Sequence, residues 1–102
     1  MTFQLVLQWP ASSLGDFDEM VAVEDLLIAK LSQENKVDGH DFGSGETNIF
    51  VLTDEPEMAF REIRAILAGH RLWESAAAAY RQIDADEYHV LWPNGATTFN
   101  IQ

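Results

Sequence analysis

Residues 37–54, VDGHDFGSGETNIFVLTD, hold two alternating stretches joined by Gly43, Ser44 and Gly45. Two glycines in three residues supply the positive φ angles that a short chain reversal needs, so the segment predicts a β-hairpin. Residues 47–53 are rich in β-branched and aromatic side chains, with Ile49 and Val51 on one face and Phe50 and Leu52 on the other. A strand apolar on both faces belongs inside a sheet. Residues 37–42 carry Asp38, His40 and Asp41 and predict the outer, edge arm. The inner arm runs straight into a helix start, with Asp54 as the expected N-cap, Pro56 in the first turn and Glu57 at the third helical position. Acidic groups there also face the positive end of the helix macrodipole.

Working upstream, residues 2–9 alternate Phe3, Leu5, Leu7 and Trp9 against Gln4, Val6 and Gln8, a half-buried strand stopped by Pro10. A short polar connection at 11–15 follows, and Asp16 with Glu19 has capping-box spacing. Phe17, Met20, Val21, Leu27, Ile28 and Leu31 then recur at helical spacing, widened by Val23 and Leu26, to an end near Ser32. Downstream, Ala59, Phe60, Ile63, Ile66 and Leu67 make the inner face of a second helix that Gly69 stops.

Residues 75–83, SAAAAYRQI, set local rules against each other. Their alanines favour a helix. The turn-forming run from Asp84 to Glu87 and the strand-like YHVLW at 88–92, closed by Pro93, favour a hairpin instead. Residues 94–102 begin with a turn at Asn94 and Gly95, and their TTFNI predicts a short edge strand. The expectation is one domain over residues 1–102, an α+β ferredoxin-like two-layer sandwich: an antiparallel sheet, two helices on one face and an extra C-terminal hairpin.

The stretches GHDFGSGETNIFVLTDEP and YHVLWP resemble segments of small bacterial proteins of uncharacterised function with a ferredoxin-like fold. The likeness covers the middle of the chain and its last main strand. It implies that fold and the strand reading of residues 75–83, and it carries over no functional residue.

Six basic residues stand against seventeen acidic ones, for a formal charge of −11. With no basic stripe to displace counterions, nucleic acid is a disfavoured partner; a basic protein is the electrostatically natural one, while the plainer and favoured reading of the charge is that it keeps a small protein soluble. There are no cysteines, which removes disulfides and thiolate chemistry and agrees with a reducing compartment. MTFQLVLQWP has no basic region and is interrupted by Gln4 and Gln8, so neither a signal peptide nor a membrane span is expected, and the protein reads as cytoplasmic.

Asp38, His40 and Asp41, with Glu46 across the turn, have the composition of a metal site. On a strand, however, Asp38 and His40 share a face while Asp41 turns away, and a polar edge that deters pairing explains the same residues. No metal and no cofactor is therefore expected. Asp18, Glu24, Asp25, Glu55 and Glu62 would form an acidic surface complementary to a basic protein. Phe50 and Leu52, with Trp9 and Trp92 from neighbouring strands, predict an apolar sheet face that serves a homodimer or a small-molecule groove. Arg61 and Arg64, one turn apart, could hold a carboxylate or phosphate; pairing with Glu57 and Glu62 is the favoured reading. The functions rank as a non-catalytic protein-binding or regulatory module of the acidic, immunity-like inhibitor kind, then a small-molecule binder using the sheet face, then a metal-assisted enzyme on Asp38 and His40.

Overall fold

Period-two alternation and helical periodicity resolve, in a computed structural model, into β1 (Phe3–Pro10), α1 (Leu14–Lys30), β2 (Lys36–Gly43), β3 (Glu46–Thr53), α2 (Pro56–Ile66), a 3-10 turn (Arg71–Glu74), β4 (Ala77–Gln82) and β5 (His89–Trp92). The structure describes residues 2–11 and 13–101. Met1, Ser12 in the connection before α1 and Gln102 of the tail lie outside the described residues. The fold is α+β, with two helices and a five-stranded antiparallel sheet in the order β2-β3-β1-β4-β5. β1 to α1 to β2 passes over β3, and β3 to α2 to β4 passes over β1.

The hairpin is as the sequence indicates, with β2 at the edge and β3 inside. Ser44 and Gly45 occupy its turn at φ of 54° and 82°. Two successive positive φ angles match the right-handed twist of the arms. β2 is not regular: its register slips between Val37 and Gly39, so Asp38 is an extra residue at a bulge.

Parity along the strands defines the core. Leu5, Leu7 and Trp9 of β1, Ile49 and Val51 of β3 and Ala78 of β4 join Met20, Val23 and Leu27 of α1 and Ala59, Ile63 and Leu67 in one buried cluster. β4 is a strand despite its alanines because pairing with β1 buries Ala78 and Ala79 completely, and tertiary burial outweighs intrinsic propensity. Ile28, which falls within the sequence's apolar stripe, is 61 % exposed, because Met20, Val23 and Leu27 already fill the buried face of α1.

Both helix starts differ from expectation by small shifts. Ser13 caps α1, accepting from the Asp16 amide at 3.1 Å while Asp16 accepts from the Ser13 amide at 3.1 Å. Asp16 is thus the third residue of the box, and Glu19 is free to pair with Arg71 at 2.9 Å. At α2 the N-cap is Glu55, and the buried Thr53 hydroxyl takes the Glu55 amide at 3.0 Å in place of the Asp54 carboxylate. The tail is corrected too: TTFNI forms no strand among its described residues. Instead the Asn100 carbonyl accepts from Gln8 Nε2 at 2.9 Å and Phe99 packs on Tyr88. Side-chain anchors thus hold this segment where backbone pairing at an edge was expected.

Candidate partner-binding site

Where α1 ends, β3 ends and α2 passes, a polar hub ties the three together. Glu62 Oε1 accepts from the Ser32 amide at 2.9 Å, and Oε2 accepts from the Ser32 hydroxyl at 2.8 Å and from Asn35 Nδ2 at 3.3 Å. The Thr53 hydroxyl donates to Asn35 Oδ1 at 2.6 Å. The Ser32 amide, opposed by desolvation and then helped by the Ser32 hydroxyl and Asn35, holds the Glu62 carboxyl below its ordinary value. Glu62 therefore stays charged.

This hub floors a hollow of about 330 Å³ lined by Ser32, Glu34, Asn35, Glu55, Met58 and Glu62. Glu34 and Glu55 are exposed, and Met58 is 58 % exposed. On the other side of Asn35 a second hollow of about 430 Å³ is lined by Ile28, Gln33, Asn35, Lys36 and Val37. Carboxylates beside exposed apolar side chains suit a long basic side chain, whose stem lies on methionine while its head meets the charge.

The five acidic candidates divide. Asp18, Asp25 and Glu55 are exposed. Glu62 is engaged in the hub, and Glu24 meets His40 Nδ1 at 3.0 Å with its side chain only 13 % exposed, so it is no rim charge. Glu34, Asn35 and Met58 were missed, because nothing local to them signals that residues about thirty apart converge.

The metal candidates are placed apart. His40 opposes Ile49 and lies against Phe17 and Glu24 of α1. Asp41, the next residue, opposes Asn48 on the other face. Asp38 is at the bulge, and Glu46 Oε2 accepts from Gln8 and Asn48 at 2.9 and 3.0 Å. Among the described residues no three such groups are positioned to hold a metal ion together.

Of the sheet-face candidates, Phe50 and Leu52 lie on the second face and are half-buried. Trp9 and Trp92 do not join them. Trp9 has the parity of Leu5 and Leu7 and is buried in the core, and Trp92 opposes the core residue Ala78. The second face also meets the tail through Gln8 and Asn100, so a copy docking there would compete with that contact. A further shallow hollow of about 370 Å³ lies at Phe3, Tyr80, Gln82, Ala85, Glu87 and His89, where His89 stacks on Tyr80 at 5.2 Å.

Arg61 and Arg64 form no ion pair with Glu57 or Glu62 among the described residues. Glu62 is drawn to Ser32, and the Arg64 guanidinium lies over the rings of both Trp73 and Trp92.

What fold and site define is an acidic α+β protein with side-chain-sized hollows beside its helices. Comparison with protein-family models, with curated proteins and with solved structures finds no match to the chain. No helix of the described residues is long and apolar enough to cross a membrane.

Proposed function

We propose that this chain is a non-catalytic protein-binding module that captures a basic partner. The observation that carries the reading is the hollow at Glu34, Glu55, Met58 and Glu62, a receptacle for a lysine or arginine side chain on a molecule whose formal charge is −11. The field of the whole molecule draws a basic protein in, and the charged Glu62 at the floor gives the anchor a fixed counter-ion. Glu55 stands at the hollow, and Asp18 and Asp25, exposed along α1, add to the molecule's field. We read the scaffold as a ferredoxin-like two-layer sandwich, supported by the two crossovers that each pass over one strand.

The test is a calorimetric titration against a set of small basic proteins at low and at moderate salt. The expected result is association with at least one of them that weakens steeply as salt rises, and that is lost in the double variant Glu34→Gln/Glu55→Gln while the fold is kept. Binding that ignores salt, or no binding to any basic protein at low salt, overturns the reading.

A further inference from the structure

We propose that Arg64, seated in the corner formed by the rings of Trp73 and Trp92, is a binding site for a carboxylate. Its guanidinium carbon lies 4.5 Å from the centre of the Trp73 ring and 4.2 Å from that of Trp92. The two indoles meet edge to face at 5.9 Å, and Phe60, one turn earlier on α2, packs on them at 6.0 and 6.5 Å. Trp73 is fixed in turn, because its Nε1 donates to the Leu67 carbonyl at 3.0 Å. Helix, 3-10 turn and strand thus hold one half-buried cation through its π contacts.

The two rings are inclined at 78°, so the guanidinium sits in the corner they form and not flat against both. No hydrogen bond or ion pair among the described residues engages Arg64. Other arginines are differently placed: Arg71 pairs with Glu19, and Arg81 donates to the carbonyls of Gln82, Ile83 and Ala85. Arg64 and Arg81 are both half-buried, and of the two only Arg81 donates to oxygens of the described residues. The ring contacts draw it away from local pairing, and a guanidinium's fork of donors matches the two oxygens of a carboxylate.

Arg61, exposed one turn before it, adds positive charge. The −11 charge of the molecule repels a phosphate dianion more strongly than a monoanion, so the planar carboxylate is the favoured ligand. Indole and phenyl rims offer apolar contact to whatever bears it. This site faces β5 and the 3-10 turn, whereas Glu62 faces the end of α1, so it stands independently of the basic-partner reading.

Proton–nitrogen correlation spectra of the whole chain test it, following the Arg64 side-chain and indole N–H signals at fixed pH and ionic strength. The probes are acetate, benzoate, the blocked tripeptide acetyl-Ala-Asp-Ala-amide with its Asn counterpart, inorganic phosphate and tetramethylammonium. Carboxylates are expected to give saturable shifts at Arg64, Trp73 and Trp92 while the core Trp9 stays put. Arg64→Ala is expected to abolish them, and Arg64→Lys, which keeps the charge but loses the fork, to weaken binding at least about fivefold. Stronger binding of the Asp tripeptide than of the free acids assigns a protein side chain as the source, and the reverse order assigns a small acid. Shifts that survive in Arg64→Ala, that phosphate matches, or that tetramethylammonium produces overturn the proposal. In the last case the rings are a cation cage and Arg64 merely its occupant.

Discussion

The two flanks of α2 hold a charge in opposite ways. Towards α1, Glu62 is fixed by three directional donors from Ser32 and Asn35, and little of its hydrogen-bonding capacity is left. Towards β5, Arg64 is fixed by the faces of two indoles, and its donors stay open. A charge whose hydrogen bonds are mostly taken stays fixed and acts on a partner through its field, while one held by ring faces keeps its donors for a direct contact. The same helix carries one of each.

Breaking the saturated side should cost the most. Glu62→Ala leaves the Ser32 amide and hydroxyl without their acceptor, and unfolding by urea is expected to show a loss of about 2 kcal/mol. A loss of a few tenths would mean that solvent replaces the carboxylate and that the hub does not tie α1 to α2.

The pH dependence isolates the charge. Glu62 has a depressed pKa in the folded state, so its contribution is present above the ordinary value of 4.5 and is lost as pH falls through the lower, folded value. Wild type should therefore lose stability more steeply than Glu62→Gln as pH drops below about 4.5, with the two curves parallel above it. Parallel curves throughout would show that the hydrogen bonds do not depend on ionisation.

On the open side, Arg64→Ala removes two cation–π contacts and some packing, and a thermal melt should report about 1 kcal/mol of lost stability. A loss as large as that of Glu62→Ala would erase the distinction between the flanks. The smallest effect on the fold is expected for Glu34→Gln/Glu55→Gln, within about 0.5 kcal/mol by urea unfolding, because both side chains are exposed. Those changes should act on association with a basic protein instead.

The hairpin was legible in the sequence because its signals are local, alternation in residues 46–53 and the glycines at 43 and 45, whereas the positive φ taken by Ser44 between them was not. Trp9 was legible in part, since parity groups it with Leu5 and Leu7, whereas the side taken by Trp92 depends on the register shift between Ala78 and Ala79. Caps slipped by a residue or more because another oxygen serves the helix start: the Ser13 hydroxyl and the Asp16 carboxylate each take the other's amide, and the Thr53 hydroxyl takes the Glu55 amide. Glu62 with Ser32, and Arg64 with Trp92, are joined across about thirty residues, and no spacing rule brings such pairs together.

β1 lies at the centre of the sheet, and Phe3 pairs with both Thr53 and Gln82. β1 thus has one flanking partner in the second arm of the β2–β3 hairpin and the other beyond α2. Closing those long loops precedes any reward from the pairing, which slows folding. The hairpin, whose arms are joined by two residues, is expected to form in microseconds, with β1 annealing only after β3 is in place. During synthesis β1 therefore waits, unpaired on one edge, until β4 has left the ribosome.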